Sequence, residues 1–245
     1  NGICSLNAGT DRLAMSCMMT FDVNGNVLDH TITESVICVD ERMSYTGVKA
    51  ILEGQEHPEG EREDIRALCF LMKEAAAILK EKRRKRGAID FDFPESKIIV
   101  DDKGYPIDIH PYERNVATDI IEDFMLLANE TVAEDYFWQE IPFLYRTHET
   151  PDSDKIKKLD TFIHNFGYYM KTGRENFHPK EIQKLLFSLE GEPEEPLISR
   201  LALRSMKQAK YTTLNVGHFG LSTQYYTHFT SPIRRYPDLQ IHRII

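Results

Sequence analysis

The chain has 245 residues, of which 41% are hydrophobic, and its formal net charge is −9 at pH 7. This length and composition suffice for a globular core, whereas no stretch reaches the roughly 18 consecutive apolar residues that a membrane-spanning helix needs. The first residues also lack the basic-then-apolar pattern of a secretory signal peptide, so we expect a cytoplasmic protein.

Four cysteines, Cys4, Cys17, Cys38 and Cys69, show no Cys-x-x-Cys spacing. We therefore predict buried free thiols rather than a zinc site or a disulfide framework. The sequence begins with Asn1 rather than Met and ends in "LQIHRII" without a helix-stop residue. We interpret both ends as cuts through a longer polypeptide.

The first 40 residues predict a long antiparallel hairpin. Two apolar-rich runs, "RLAMSCMMTFDV" and "NVLDHTITESVICVD", flank Asn24-Gly25. This pair favours a type I′ turn, whose two central positions both need positive φ. Ser44 then suits the N-cap of a short helix, and the acidic stretch "EGQEHPEGERED" predicts a loop.

Apolar residues at helical spacing predict a long helix that starts near Asp64 and stops at Gly87. The last turns, residues 80–86, contain six Lys and Arg, which suit a helix C-terminus electrostatically. We expect a solvated helix end there, with a phosphate contact as the alternative. A second hairpin is predicted around Lys103-Gly104.

The run "NVATDIIEDFMLLANETVAEDYFWQ" predicts a strongly apolar helix, on which Glu122 and Asn129 lie on one side, two turns apart. The stretch "FLYRTHETP" predicts a strand after it, and residues 152–200 predict two or three polar helices. The order of hairpin, helix, hairpin and further helices indicates an α+β fold, with a mixed antiparallel sheet and packed helices.

Charge is distributed unevenly along the chain. Residues 197–245 contain seven Lys and Arg but one acid, Asp238, although the whole chain has nine more acids than cations. A basic segment in an acidic protein indicates a local anionic partner. A solvated helix face explains the cations from Arg200 to Lys210, but not the denser cluster after Thr227.

That cluster lies in the segment "YTHFTSPIRRYPDLQIHR", residues 226–243. Thr230-Ser231-Pro232 has the pattern of an N-cap followed by the first helical position, and Pro237 breaks any helix begun there. We expect one irregular turn, followed by a new helix from Pro237 that buries Leu239 and Ile244.

Arg234 and Arg235 are thereby predicted to lie on a rigid turn near free backbone amides, an arrangement that binds phosphate. Adjacent arginines rarely face the same way, so one is expected to reach an anion and the other to pair within the protein. Upstream, "NVGHFGLSTQYYTHFTS" interleaves aromatic and polar residues, which suits stacking on unpaired bases. A phosphate site for nucleic acid is the leading interpretation, and a buried Arg and His network that only holds a sharp turn is the alternative.

Other catalytic patterns are absent. The sequence has no Walker-type phosphate loop, G-x-S-x-G elbow or H-E-x-x-H motif, and no compact aspartate cluster with metal-binding spacing.

The stretch "HFGLSTQYYTHFTSPIRRYPDLQIHR" resembles the signature of the ribonuclease II (RNB) catalytic domain, found in processive 3′-to-5′ exoribonucleases. The segments "GICSLNAGTDRLAMSCMMTFDVNGNVLDHTITESVI", "IEDFMLLANETVAE" and "FLYRTHETP" resemble other parts of the same domain, so the resemblance covers essentially the whole chain. Within the family, the chain is more similar to the bacterial ribonuclease R group than to ribonuclease II itself. The resemblance implies the major part of an RNB catalytic domain and a single-stranded RNA 3′ end as partner.

The resemblance also implies roles for individual residues. Arg234 matches the arginine that contacts the scissile phosphate and is the expected catalytic residue. Tyr45 matches a tyrosine that holds the terminal nucleotides, Glu122 matches a carboxylate that recognises the sugar, and Phe91 matches an aromatic residue that stacks on bases. From their place in the motifs, we add five expected RNA contacts: Asn129, His218, Thr230, Ser231 and Arg235. For Arg235, pairing within the protein is the favoured role.

One departure from the family pattern stands out. The family's catalytic Mg²⁺ is bound by an aspartate cluster that precedes the residue matching Asn1, and two-metal hydrolysis needs such carboxylates. We therefore expect an incomplete RNB domain, residues 1–245, that binds no metal itself and is inactive alone. The cold-shock domains and the C-terminal RNA-binding barrel of the family are likewise not in this sequence. A catalytically dead RNB-like module that binds RNA or a partner is the alternative function.

Overall fold

The computed structural model describes residues 2–60, 62–91, 96–111, 114–172 and 177–245. The strands are β1 (Asp11–Phe21), β2 (Val27–Cys38), β3 (Ser96–Val100), β4 (Pro106–Pro111), β5 (Tyr145–Thr147) and β6 (Lys210–Thr212). The helices are α1 (Tyr45–Leu52), α2 (Glu63–Arg86), α3 (Val116–Trp138), α4 (Ser153–Ile163), α5 (Pro179–Leu189), α6 (Glu195–Ser205) and α7 (Tyr236–Ile244). One-turn 3₁₀ helices lie at Pro58–Gly60 and His164–Phe166.

The strands of the described residues pair as three separate antiparallel sheets, β1–β2, β3–β4 and β5–β6. The α+β class with antiparallel pairing and packed helices is therefore confirmed, although the sheets are separate pairs rather than one mixed sheet. In β5–β6, Arg146 lies opposite Tyr211. The pairing joins Thr147 to Lys210, 63 residues further along the chain.

The turn of the first hairpin differs from the predicted type I′ turn. Only Gly25 has positive φ, at 77°, and the loop spans residues 22–26 between β1 and β2. Asp22 organises it, because its Oδ1 accepts hydrogen bonds from the amides of Asn24 at 2.9 Å and Asn26 at 2.8 Å. An aspartate that bonds the backbone two residues on is a local turn signal of its own.

The loop of the second hairpin is also organised by an aspartate side chain. Asp101 Oδ1 accepts from the amides of Lys103 and Tyr105, both at 2.9 Å, and Gly104 has φ 84°. The amide of Gly104 donates to the Asp101 carbonyl at 2.9 Å. Asp at the first position and Gly at the fourth thus build both hairpin loops.

The predicted helix signals at α1 and α2 are confirmed. Ser44 caps α1, because its Oγ accepts from the Gly47 amide at 3.0 Å, and Glu59 in turn accepts from the Ser44 amide and hydroxyl, both at 2.8 Å. Gly87 ends α2 in the left-handed region at φ 98°. These local patterns fix where the two helices begin or end.

The basic end of α2 is not simply a solvated helix end. Its cations pair with carboxylates on α3, which runs alongside it: Lys80 with Asp119, Arg83 with Asp123, and Arg86 with Glu130. Arg84 bonds Glu81 within α2 instead. The expectation of a solvated terminus is therefore wrong for Arg83 and Arg86, whose largely buried side chains join the two helices, whereas Arg84 and Lys85 are exposed.

Three clusters of buried apolar side chains form the core. The first is built mainly from α4, α5 and α6, and the third from α1, α2 and the start of α3. The second joins the end of α3 and β5 to Phe229 and Ile241 of the C-terminal segment. Helix α3 contributes to the second and third clusters, and in the second cluster it packs against the C-terminal segment.

The face that α7 buries differs from the predicted one. Asp238 and Ile241 are both 0% exposed, whereas Leu239 is half-buried and Ile244 is 37% exposed. The expectation of buried Leu239 and Ile244 assumed that the apolar residues of α7 determine which face of the helix is buried. The buried face is instead the one that carries Asp238, because this acid bonds the preceding turn, as described below.

All four cysteines are free thiols, but the expectation of burial holds only for Cys69. Cys17 is half-buried, and Cys4 and Cys38 are exposed. Within the described ranges, each helix is either too short or too polar to cross a lipid bilayer.

Candidate functional site

The C-terminal segment is held against α3 and the start of β5 by hydrogen bonds that involve side chains on both sides. Asn129 Oδ1, in α3, accepts from the amide of Phe229 at 2.9 Å, and Asn129 Nδ2 donates to the Tyr226 hydroxyl at 3.3 Å. The Thr227 hydroxyl donates to the Leu144 carbonyl at 2.7 Å. These bonds fix the backbone immediately before the predicted turn.

The turn itself is organised by Asp238, the one acid of the basic segment. Its Oδ1 accepts from the amide of Ser231 and from the guanidinium of Arg235, both at 2.7 Å. The amides of Arg234 and Arg235 donate to the Ser231 carbonyl at 3.3 and 3.1 Å, which closes a single turn. Helix α7 then begins at Tyr236, with Pro237 in its first turn, as the sequence predicts.

The two neighbouring arginines have different surroundings. Arg235 pairs with fully buried Asp238, so it takes the pairing role that the sequence assigned to one member of the pair. The guanidinium of Arg234 is exposed and makes no hydrogen bond or ion pair with any described residue. The turn therefore presents one unpaired, forked donor group to solvent, and such a group binds phosphate oxygens in pairs.

The hydroxyl residues before the turn differ in access. Thr230 Oγ1 is buried, with no hydrogen-bond partner among the described residues, whereas Ser231 is half-buried and contributes its amide to the Asp238 carboxylate. An unsatisfied hydroxyl in a protein interior costs free energy. The RNA contacts expected of Thr230 and Ser231 stay predictions.

Asn129 is bonded within the protein. It is 3% exposed, and its amide oxygen and nitrogen bond Phe229 and Tyr226. These bonds hold the segment that carries Arg234, and the expected contact of Asn129 with RNA stays a prediction.

His218 lies in a sharp turn, where its Nδ1 accepts from the Leu221 amide at 3.1 Å. Burial lowers its pKa to about 3, with the nearby His148 and Arg146 as further causes, so the ring is neutral at pH 7. It borders a cavity of about 600 Å³, also lined by His148, Phe219 and Tyr225. Contact of His218 with RNA stays a prediction.

The remaining expected contacts lie toward the start of α3. Glu122 is seven residues before Asn129, about 10 Å along the helix axis at 1.5 Å per residue, and it accepts from Arg114 at 2.9 Å. Tyr45 is the first residue of α1, which packs against α3, and its side chain is 48% exposed. Phe91 is half-buried against the first core cluster. The structure thus joins Asn129 to the residues just before the turn at 231–235, here called the signature turn, and places Glu122 on the same helix.

Sequence patterns missed a group that lies next to the turn. Arg146 and Tyr211, opposite each other in β5–β6, stack with the guanidinium carbon 4.7 Å from the ring centre. The Tyr211 hydroxyl lies 2.6 Å from Nδ1 of His228. No local signal could have found this group, because its members are brought together by strand pairing rather than by spacing.

Electrostatics around the turn favour an anion. Burial and then the positive charge of Arg235 lower the pKa of His228 to about 4, and Arg146 and Arg234 act in the same direction. Asp238 is the acid that opposes them, and it already pairs with Arg235. Unpaired guanidinium groups near a neutral imidazole make a surface on which phosphate oxygens are stabilised.

A divalent metal does not fit the described residues. They contain no group of three or more His, Cys, Asp or Glu side chains that could hold a metal ion. Oδ1 of the buried Asp238 accepts from Arg235 and from the Ser231 amide, and its Oδ2 is buried without a hydrogen-bond partner among the described residues. The part of the site described here therefore supplies cationic and hydrogen-bonding groups and no metal ligands.

Comparison with known proteins gives this geometry a context. The family model described as "RNB domain" matches residues 1–245. Ribonuclease R 1 of Lactococcus lactis is 44% identical over 100% of this chain, which spans 30% of that protein. Ribonuclease R of Thermotoga maritima is 45% identical, with 100% of this chain and 34% of that protein covered.

Solved structures agree. RNase R of Mycoplasma genitalium in complex with ribose-methylated single-stranded RNA has a TM-score of 0.94 and 30% identity, over 100% of this chain and 38% of that one. Yeast Ssd1, described as a pseudonuclease, has a TM-score of 0.72 and 21% identity over 98% of this chain and 29% of its own, which shows a shared fold alone. The chain spans about a third of the length of the curated relatives cited above, and the match over its whole length shows that it belongs to the RNB domain family.

Proposed function

We propose that this chain forms the major part of the catalytic domain of a processive 3′-to-5′ exoribonuclease that hydrolyses single-stranded RNA to nucleoside 5′-monophosphates. The observation that carries the proposal is the exposed, unpaired guanidinium of Arg234, held on a rigid turn within an RNB domain. Relatives at 44–45% identity are named ribonuclease R. A solved neighbour at 30% identity has single-stranded RNA bound.

Arg234 has a defined chemical task in this proposal. Negative charge develops on the phosphate oxygens as the bond to the last nucleotide breaks, and a fixed guanidinium stabilises that charge more than it stabilises bound substrate. The turn keeps the group in place, because Asp238 bonds both its neighbour Arg235 and the Ser231 amide. Arg234 is therefore pre-positioned for the transition state.

Recognition of RNA is assigned to the start of α3 and its surroundings. We propose that Glu122 accepts a hydrogen bond from a ribose 2′-hydroxyl, the group that distinguishes RNA from DNA. Arg114 holds this carboxylate at 2.9 Å. Tyr45, which is half-exposed at the start of α1, and Phe91 supply aromatic surfaces for the nucleotides.

We further propose that hydrolysis requires Mg²⁺ held by aspartates outside this chain, and that the chain alone is inactive. The curated relatives are about three times as long as the matched region, which leaves room for such residues. A cytoplasmic location stays a prediction.

The test uses the complete polypeptide in which this chain occurs, here called the parent polypeptide, and a 5′-labelled single-stranded RNA. With Mg²⁺, the label should move stepwise to shorter products from the 3′ end, with release of nucleoside 5′-monophosphates. Excess chelator should stop the reaction, and the 245-residue chain alone should leave the RNA intact. Internal cleavage, or no shortening by the parent polypeptide with Mg²⁺, would contradict the proposal.

A binding protein without catalysis is the second candidate. The similarity in fold to yeast Ssd1, described as a pseudonuclease, shows that this fold is not restricted to active nucleases. In the same assay, this candidate predicts that the RNA is retained by the parent polypeptide in a filter-binding measurement but never shortened.

A further inference from the structure

The group formed by Arg146, Tyr211 and His228 lies beside the signature turn and has no role in the function proposed above. Arg146 and Tyr211 face each other across β5–β6. The other edge of β5 bonds the signature segment, because the Arg146 amide donates to the Tyr226 carbonyl at 2.9 Å. Strand β5 therefore carries Arg146 between Tyr211 on one side and the backbone leading to His228 on the other.

The contacts of Tyr211 determine which nitrogen of His228 carries the proton. The ring of His228 is half-buried, and its Nδ1 lies 2.6 Å from the Tyr211 hydroxyl. A phenol is the better donor and a neutral imidazole nitrogen the better acceptor, so Tyr211 O–H donates to Nδ1. Arg146 strengthens this donor, because its guanidinium carbon lies 4.7 Å from the Tyr211 ring centre and draws electron density from the phenol.

With Nδ1 occupied in this way, the ring proton of a neutral His228 must be on Nε2. Nε2 has no hydrogen-bond partner in the described part of the chain, and it is not among that part's buried unsatisfied atoms. It is therefore a donor that solvent or a ligand can reach. Burial is the largest cause of the lowered pKa of this ring; the positive charges of Arg235, Arg146 and Arg234 act in the same direction, and Asp238 opposes them.

The charged groups around Nε2 of His228 indicate which part of a bound RNA this N–H would contact. The guanidinium groups of Arg146 and Arg234 have no ion-pair partner among the described residues. Both guanidinium groups lie near enough to His228 to lower the pKa of its ring, and with the Nε2–H they supply three donor groups, two of them cationic. Phosphate oxygens accept hydrogen bonds and carry negative charge, so a phosphate of the bound RNA fits these donor groups better than a base edge or a sugar hydroxyl.

We propose that Arg146 and Tyr211 hold His228 in the tautomer with its proton on Nε2, and that this N–H donates to a phosphate oxygen of the bound RNA beside Arg234. The inference rests on the proposed function, because it assumes that RNA reaches the turn. Tyr211 and Arg146 are positioning residues, which act through His228. His228 contacts the substrate as a neutral donor and adds no further charge to the cluster.

The first experiment needs no RNA. The 245-residue chain is labelled with ¹⁵N-histidine, and His228 is assigned by comparison with His228→Gln. At pH 7 we expect the ¹⁵N shifts of a protonated Nε2 and an unprotonated Nδ1, and in Tyr211→Phe a loss of this single tautomer with an increase in the pKa of His228. Tyr168→Phe, which removes a 2.9 Å hydrogen bond to Glu194 elsewhere, should change neither. A proton on Nδ1, or an imidazolium at pH 7, overturns the proposal.

The second experiment compares two amide variants of His228 in the parent polypeptide. A glutamine amide nitrogen reaches the place of Nε2, whereas an asparagine amide nitrogen reaches only that of Nδ1. Affinity for a single-stranded RNA, measured without Mg²⁺, should fall about tenfold or more in His228→Asn, roughly the loss of one hydrogen bond to a charged group, and clearly less in His228→Gln.

The outcomes separate this proposal from the one on which it rests. Equal losses in His228→Asn and His228→Gln, or no loss in either, overturn the role of Nε2, while RNA binding by the unmodified parent polypeptide still supports the proposed function. If the unmodified parent polypeptide does not bind RNA, the proposed function fails, and the phosphate contact of His228 is overturned with it. In that case the NMR experiment still tests whether Tyr211 holds His228 in one tautomer, because that measurement does not depend on RNA.

Discussion

Arg234 and Arg235 are adjacent in sequence, yet one is committed to the protein and the other is free. Asp238 causes the difference. It is 0% exposed and bonds Arg235 at 2.7 Å, and a buried carboxylate requires such a partner. Because Asp238 also bonds the Ser231 amide, the same acid orders the turn that presents Arg234.

The first prediction concerns Arg234→Lys in the parent polypeptide. Lysine keeps the charge but loses the forked pair of donors, so it should stabilise the transition state poorly while still attracting RNA. We expect kcat to fall about 100-fold, as for loss of one oxyanion donor, while RNA affinity changes by no more than about threefold.

The control for that measurement is Arg243→Lys, at an exposed position near the end of α7. It should leave both kcat and affinity unchanged. If Arg234→Lys lowers rate and affinity equally, Arg234 serves binding alone, and its assignment as the catalytic residue is wrong.

Much of the site at this scale could not be predicted from sequence. The free Arg234 and the turn around it follow from local signals, namely the two prolines and the paired arginines. Burial of Asn129 and the stack of Arg146 on Tyr211 depend on contacts between distant parts of the chain. Spacing along one segment carries no information about such contacts.

The helices α2 and α3 are held together by a row of ion pairs between the last two turns of α2 and residues 119–130 of α3. The central pair, Arg83 with Asp123, is the most buried, with side chains 17% and 2% exposed. Burial raises the pKa of Asp123, and the charge of Arg83 opposes that increase. Removal of the arginine would therefore leave an uncompensated buried carboxylate.

The second prediction is that Arg83→Met lowers the free energy of unfolding by about 3 kcal/mol at pH 7. Without Arg83, the pKa of folded Asp123 lies further above its unfolded value, so the folded state binds the proton more tightly. The loss should then be small at low pH and grow as the pH rises through the folded pKa. Urea unfolding at several pH values measures it.

The matched control is Arg84→Met, because Arg84 pairs with Glu81 on the exposed surface of the same helix. An exposed pair of this kind contributes about 0.5 kcal/mol. The prediction also requires that Asp123→Leu recovers stability when combined with Arg83→Met. Equal effects of the Arg83 and Arg84 variants would show that burial of the pair is unimportant.

The two β-hairpins allow a comparison of turn strain with packing. Gly25 and Gly104 both have positive φ, at 77° and 84°. A Cβ on Gly25 would lie 3.2 Å from Cδ of Lys82, whose Nζ is held by the Gly25 carbonyl at 2.8 Å. A Cβ on Gly104 would meet nothing within 4 Å.

The third prediction follows from that difference. Gly104→Ala should cost about 1 kcal/mol of stability, from backbone strain alone. Gly25→Ala should cost more, because the methyl group also displaces Lys82 and weakens the contact between the first hairpin and α2. Thermal unfolding of both variants measures the difference, and equal costs would show that Lys82 moves aside freely.

At the scale of elements, the sequence predicts best what is decided locally. Both hairpins, the Ser44 cap and the Gly87 stop are confirmed because each depends on residues within a few positions. The turn type failed because Asp22, not Asn24, organises the loop. The partners of the basic run at the end of α2 were missed because they lie about 40 residues away, on α3.

At the scale of the whole molecule, the charge distribution directs an anionic ligand toward one region. The chain carries a net charge of −9, so its net charge opposes the approach of RNA. Around the signature turn, the guanidinium groups of Arg146 and Arg234 have no ion-pair partner among the described residues, whereas Lys207 and Lys210 are paired with Glu149. RNA binding should therefore depend on few phosphate contacts rather than on a diffuse basic surface.

The fourth prediction tests this localisation through salt dependence. For single strands, the slope of log affinity against log salt is about −0.7 for each phosphate contacted. In the parent polypeptide, Arg234→Ala should make the slope less steep by about 0.7, because one phosphate contact is lost. Lys158→Ala, an equal change of charge at an exposed position on α4, should leave the slope unchanged. If both variants change the slope equally, binding responds to net charge, and the turn is not a discrete phosphate site.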